Sequence, residues 1–432
     1  MATDTDGWVR HIIYFLLYWF STAEGIISTE FVAVSGDFSG KLFHVKHALG
    51  YLLPLIFVTA SVFAIHFCIA YTKCIKRPAV PEKEVLMIRF NNDYSQNCIP
   101  DIMEALHHLG DAQFPGYGQD GFCDKAVALL REQMGWEDAD VHFVPGATQA
   151  NLLVHAAALN PVQSVICAET GHIASHEAGA IENTGHQILA LPCRSHDGKL
   201  AAEDVRAVAA HYQEMGAAEY LTEPKLVYIS QPTEFGGVYS LEELQAIKEV
   251  CEDYDMQLFV DGARLSYALA ADCNDATLWD LAALCDVFTI GGTKCGALFG
   301  EAIVITNDAL KPRFRAHMKQ HGAVLAKGWL LGLQFYCLFR TNAYYKLAEK
   351  ADQQAQRIQE ACKLYGIPLY TESPSNQQFV LLTKAQEAAL AKTFTFEIFD
   401  RYDETHDIVR LCTSWATTDL DVDALLSFLP RI

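Results

Sequence analysis

The stretch VFTIGGTKCGALFG, Val287–Gly300, carries a short apolar run into two glycines, a threonine and a single lysine, Lys294. An apolar run of that length, rich in β-branched and aromatic side chains and closed by glycines, reads as a buried strand. The chain turns apolar again in ALFGEAIVIT too soon for a crossover helix, so the next strand is expected to return antiparallel. The same punctuation repeats upstream. VHFVPG, SVICAE, QILALP, LVYISQP and MQLFV read as strands. TQANLLVHAAAL, SHEAGAIENTG, AEDVRAVAAHYQE, SLEELQAIKEVCEDY and TLWDLAALC read as the helices between them, and Ser240 with Glu243 forms a capping-box signature. Strand and helix alternating at this spacing predict an α/β fold, a mostly parallel seven-stranded sheet covered on both faces.

On this reading the chain falls into three parts. Residues 1–86 form an apolar N-terminal extension, residues 87–330 the large sheet domain, and residues 331–432 a smaller α+β domain. The last part is read from NAYYKLAEKADQQAQRIQEACKLYG as a long helix, QQFVLL and DIVRLCTSW as strands and DLDVDALLSFL as a final helix. Within the extension, residues 50–71 contain no Asp, Glu, Lys or Arg. As a helix they would span about 33 Å, enough for a bilayer core. Two readings stay open: a membrane anchor with the catalytic part in the cytoplasm, or an extension absent from the working enzyme.

The chain has 432 residues and a formal net charge of -21. That balance argues against a nucleic-acid partner and for small-molecule partners. The 13 cysteines show no CxxC pair and no spacing that would hold a metal. They read as reduced thiols, which suits a cytoplasmic location. Cys295, beside Lys294, reads as a small apolar filler.

In a parallel α/β sheet, ligands bind beyond the carboxyl ends of the strands. At those ends stand Ala147 and Thr148 at a helix start, His172, the loop holding Glu234, Asp261 with Arg264, and Lys294. Singly, each reads equally well as a cap, a structural histidine or a turn residue. Together they supply an anion cradle, a flat ring, a carboxylate, a guanidinium and an amine at one sheet edge. Pyridoxal phosphate needs that set. Asp261 and Lys294 lie 33 residues apart, about one βαβ unit, which predicts neighbouring strands. The glycines before Lys294 read as room for the backbone to approach the cofactor.

From about Met87 onward the sequence resembles the threonine aldolase and β-eliminating lyase family of fold type I pyridoxal-phosphate enzymes. The resemblance rests on FNNDYS, PGYGQD, GATQAN, ETGHIASHEAGAIENTGH, YISQPTEFGGVYSLEEL, FVDGARL, IGGTKCGALFGEA, AKGWLLGLQF and VRLCTSWATT. It implies an aspartate-aminotransferase-like fold and the following roles. Lys294 matches the lysine that joins the cofactor's aldehyde carbon, Asp261 the partner of its ring nitrogen, and His172 the stacking histidine. Ala147 and Thr148 match the phosphate cradle, and Arg264 the arginine near the cofactor. Asn92 falls near a substrate-carboxylate contact, and Arg410 matches the arginine that grips that carboxylate. Lys327 matches a lysine that reaches a neighbouring subunit's site, which implies a homodimer or homotetramer. Glu234 stands where better-known aldolases carry a histidine near the substrate hydroxyl, and Trp329 where a basic or polar residue is expected. The resemblance implies cleavage of L-threonine or L-allo-threonine to glycine and acetaldehyde. The alternatives are β-elimination on another amino acid, or a membrane-tethered relative without turnover.

Overall fold

A computed structural model describes residues 87–214 and 219–432. The 50–71 segment lies outside the described residues. Among the described residues no helix is long and apolar enough to cross a membrane. Leu86–Ile432 form one compact unit.

The chain enters through β1 (Ile88–Arg89), α1 (Pro100–Leu109) and α2 (Gly121–Met134). The α/β series follows as β2 (Asp140–Val144), α3 (Ala147–Ala158), β3 (Gln163–Ala168), α4 (His172–Ser175), β4 (Gln187–Leu191), α5 (Ala202–Glu214), β5 (Glu223–Ser230) and α6 (Leu241–Asp253). It ends with β6 (Gln257–Asp261), α7 (Leu265–Ala270), α8 (Leu278–Leu284), β7 (Val287–Gly291) and β8 (Glu301–Ile305). These seven strands pair in the order β2-β8-β7-β6-β5-β3-β4. All neighbours run parallel except β8, which is antiparallel to β2 and β7, as the short return after Lys294 predicts. The capping box of Ser240 with Glu243 forms as read. SHEAGAIENTG does not form one helix. Only its Ser175 is helical, as the last residue of α4, and Glu182–Thr184 form a 3₁₀ turn, because Ala178 and Gly179 take positive φ between them.

Alternation along each strand sends side chains to two separate cores. Val227, Leu258, Val260, Phe288 and Ile290 face one, with α2 and α6. Leu226, Tyr228, Phe259 and Val287 face the other, with α3. Each fully buried aliphatic or phenyl side chain contributes about 1.5–3 kcal/mol.

Beyond the large sheet come α9 (Phe314–Gln320), α10 (Trp329–Arg340) and α11 (Ala343–Leu364). A four-stranded antiparallel sheet closes the chain, built from β9 (Leu369–Thr371) and β10 (Gln377–Thr383), then, after α12 (Lys384–Leu390) and β11 (Phe394–Thr395), from β12 (Glu397–Arg401) and β13 (His406–Cys412). Helix α13 (Asp419–Phe428) covers it. Leu333, Phe335 and Leu338 of α10, and Tyr344 and Ala351 of α11, share the core of the large sheet. Phe90 instead packs among the C-terminal residues, and its carbonyl accepts the Cys412 N–H at 2.7 Å. The FNNDYS segment is thereby stretched from the small sheet toward the large one.

Candidate active site

Lys294 follows β7 by three residues. Among the described residues its Nζ makes no hydrogen bond or ion pair. Its carbonyl accepts the Tyr267 hydroxyl at 2.7 Å, which fixes the turn. Burial, then the Arg264 charge, lower its ammonium below the usual lysine range and favour the free amine. Glu301 of β8 also feels this charge, yet burial holds its carboxyl well above the carboxylate range. The glycines before Lys294 do not make room for a ring. A Cβ on Gly291 would lie 2.1 Å from the Ala263 carbonyl oxygen, and one on Gly262 2.0 Å from that of Thr289. They let the ends of β6 and β7 cross in contact, joined by the Gly291 N–H to the Gly262 carbonyl at 2.9 Å.

That crossing sets Asp261 beside Lys294, on the paired strands expected from their spacing. Phe259 faces the α3 core, so Asp261, two residues on, faces it too. There Asp261 Oδ2 accepts from the Tyr228 hydroxyl at 2.7 Å and from Asn151 Nδ2 of α3 at 2.9 Å, while Oδ1 accepts the Ala263 N–H at 2.9 Å. Burial raises its pKa, but His172, Tyr228, Asn151 and Ala263 together outweigh it and hold the group below the usual range. Asn151 Nδ2 also donates to Glu177 Oε1 at 2.7 Å, and that oxygen lies 2.8 Å from His172 Nδ1. One polar chain thus joins Tyr228, Asp261, Asn151, Glu177 and His172, and fixes the imidazole's orientation. The ring stacks on His176, with centroids 5.5 Å apart and planes at 18°.

Glu234 is held from two sides. Its Oε1 accepts the His172 backbone N–H at 2.8 Å and the Ser230 hydroxyl at 2.7 Å. Burial raises its carboxyl above the usual range, against the pull of Ser230 and His172. Glu234, His172, Arg264 and Lys294 line both of two adjoining clefts, of about 30 and 130 Å³. Ala147 lines the first, at the start of α3, whose N-terminus has no side-chain cap. Its first amides are free to meet an anion. Thr148 is exposed one residue further on.

The two arginines are both engaged by carboxylates. Arg264 donates from Nε and Nη2 to the two oxygens of Asp93, at 2.7 and 3.1 Å. Burial opposes the Asp93 charge, but Arg264 and Lys294 overcome it and lower its pKa to about 2. Asn376 adds a bond to Asp93 at 3.0 Å. Arg410 on β13 pairs with Glu397, its cross-strand neighbour on β12, donates to Gln377 at 2.9 Å and lies over the Phe399 ring. Arg410, Glu397, Phe399, Tyr94 and His176 line the second cleft.

Of the residues read from sequence, Lys294, His172, Glu234, Ala147, Asp261, Arg264 and Arg410 come together here. Asn92 does not line either cleft. Its Oδ1 is spent on a turn, accepting from the Tyr94 N–H at 3.2 Å and the Ser95 hydroxyl at 2.7 Å. Asp93 and Tyr94 are the members of that motif that reach the site. Lys327 is exposed and lines neither cleft, and Trp329 packs on Phe114 at 5.0 Å. Cys295 is buried, in hydrogen-bond contact with Ser266. Asn151, Glu177, Tyr228, His176 and Glu397 were not legible as site residues. Only the five-residue spacing of His172 and Glu177 on one short turn offered a signal.

Residues 98–385 match the family model described as beta-eliminating lyase. A low specificity L-threonine aldolase of Pseudomonas sp. is 32% identical over 72% of this chain and 88% of its own length. The Saccharomyces cerevisiae enzyme of the same description is 25% identical over 65% of this chain and 70% of its own. A solved Leishmania major threonine aldolase is 42% identical, covers 79% of this chain and 98% of its own, and superposes with a TM-score of 0.77. An aspartate aminotransferase from Thermus thermophilus, 15% identical over 80% of this chain and 91% of its own with a TM-score of 0.59, shares the fold.

Proposed function

The chain belongs to the beta-eliminating lyase family, and from that premise we propose that it cleaves L-threonine and L-allo-threonine to glycine and acetaldehyde with pyridoxal phosphate as cofactor. It is a carbon–carbon lyase acting on a small amino acid. The observation that carries this reading is the carboxyl of Glu234, half-buried in one cleft with the amine of Lys294, which is unpaired among the described residues.

The residues fit the cofactor. Lys294 offers an amine without a competing ion pair among the described residues, Asp261 a carboxylate kept ionised by three hydrogen bonds, His172 a ring braced by Glu177, and α3 an uncapped N-terminus. When bound there, pyridoxal phosphate supplies a ring that draws electrons away from the substrate's Cα. Asp261 would hold the proton at the ring nitrogen, and the amides of Ala147 and Thr148 would hold the phosphate. Arg410 would grip the substrate carboxylate, aided by Arg264. Fixing that group sets which Cα bond stands perpendicular to the ring, and so which bond breaks. A two-point guanidinium grip sets torsion as well as affinity. Glu234, with a raised pKa, is suited to take the β-hydroxyl proton near neutral pH. Ser230 and the His172 amide hold its Oε1 and leave Oε2 for that task.

An oligomer belongs to this reading: the exposed Lys327 lines neither cleft of its own chain, so the role the resemblance gives it would be played at a neighbouring subunit's. Every cysteine among the described residues is free, which supports a reducing compartment. A panel of amino acids, assayed for both product pairs, tests the reaction. Glycine with acetaldehyde from threonine supports aldol cleavage. Pyruvate or another 2-oxo acid with ammonia, and no aldehyde, would replace it with β-elimination.

A further inference from the structure

A cavity of about 290 Å³ lies between the end of α7 and helix α11, and shares no lining residue with the two clefts above. Four of its lining side chains are carboxylates: Asp272, Glu349, Asp352 and Glu360. The one cation lining it among the described residues, Arg357, is already committed. Its Nη1 donates to Gln354 at 2.7 Å and its Nη2 to Asp423 at 2.5 Å, and Asp419 lies 3.4 Å from Nη1.

Asp352 differs from its neighbours. It is only 4% exposed, and among the described residues neither of its carboxylate oxygens has a hydrogen-bond partner. A buried, unpartnered carboxylate is costly. Burial, reinforced by Asp272, pushes its carboxyl well above the carboxylate range. Either a proton or a bound cation can relieve that cost, and the field of the three further carboxylates draws both.

The spacing selects the kind of cation. A calcium or magnesium ion needs several oxygens converging at roughly 2.0–2.6 Å. Among the described residues no three acidic, histidine or cysteine side chains converge that way. An organic N–H donor needs only one carboxylate at hydrogen-bond distance, with the others acting through their field. A volume of about 290 Å³ has room for a small organic cation. We propose that this cavity binds a small organic cation through a guanidinium or ammonium N–H group, with Asp352 as the direct partner and Asp272, Glu349 and Glu360 around it.

Cys273 is exposed on the same cavity wall and reports on its occupancy. The full, cofactor-loaded chain is treated with iodoacetamide at constant ionic strength, and alkylation is read by peptide mass spectrometry. Ethylguanidinium, which does not condense with aldehydes as primary amines do, is the first probe. Trimethylammonium is the ammonium arm. Tetramethylammonium and potassium, which have no N–H donor, are the controls. At least one N–H cation is expected to slow Cys273 alkylation about threefold, the effect of two-thirds occupancy, and to leave Cys193 unchanged. Which of the two protects names the group. Asp352→Asn keeps the shape, removes the charge and is expected to abolish the protection. Glu349→Gln, a second variant, is expected to weaken it. Equal protection by potassium or tetramethylammonium, protection unchanged in the variants, or none from either N–H cation would overturn the proposal.

Discussion

Glu234 Oε1 accepts the backbone N–H of His172 at 2.8 Å, so the loop after β5 is tied to the segment that presents the imidazole. The carboxyl proposed as the base and the ring proposed to stack on the cofactor are therefore held as one unit. Its separate parts can be tested one at a time.

Glu234→Gln keeps the bonds from Ser230 and His172 but cannot take a proton. We expect kcat on threonine to fall roughly 10²–10⁴-fold with KM little changed. The charged form is the active one, and burial raises its pKa above 4.5. Activity should therefore fall as pH drops through a value above the usual carboxylate range, and the variant should lack that limb. A pH–rate profile of both proteins checks this. An identical acid limb in the variant would remove Glu234 as base.

Asp93 holds Arg264 through both oxygens. Asp93→Asn breaks a buried pair and should cost about 3–5 kcal/mol, read by chemical denaturation. In the wild type the pKa of Asp93 falls from 3.8 to about 2 on folding. A lowered pKa contributes stability that is complete above about pH 4 and is lost as pH falls toward 2, in all roughly 2 kcal/mol. The variant should show a flatter acid unfolding curve across that window.

Arg410→Lys retains the charge but loses the planar fork. KM for threonine should rise about 10–100-fold, a cost of about 1.4–3 kcal/mol, with a smaller effect on kcat. Glu397→Gln frees Arg410 from its cross-strand carboxylate and should lower KM by about two- to fivefold, because that pair is partly exposed. Steady-state kinetics separates the two. A rise in KM for Glu397→Gln would mean that Glu397 positions Arg410 rather than competing with the substrate.

Gly291→Ala would set its Cβ 2.1 Å from a backbone oxygen that cannot yield without moving β6. We expect a loss of stability above about 4 kcal/mol, seen as insoluble or low-melting protein. Gly146→Ala, where a Cβ meets nothing within 4 Å, should fold normally.

The role of these glycines is not legible in the sequence. The alternating apolar runs gave away the seven strands, because periods of 2 and 3.6 residues differ over such short distances. The strand ends then pointed to Asp261 and Lys294. A glycine beside a reactive lysine, however, looks the same in sequence whether it admits a ligand or a crossing backbone. Asn92 shows a similar limit: which of two adjacent polar residues turns inward depends on a hydrogen-bonded turn. Asn151, Glu177 and Glu397 come from α3, the segment after α4, and β12, and only the folded sheet brings them to Asp261, His172 and Arg410.

The most direct measurement is the yield of acetaldehyde and glycine from L-threonine with the full chain and added pyridoxal phosphate, run beside Lys294→Ala. The account predicts equal amounts of the two products from the wild type, and, in the variant, neither the products nor the visible absorbance of lysine-linked cofactor once free cofactor is removed. No acetaldehyde from the wild type with either threonine isomer, while that absorbance is present, would contradict it.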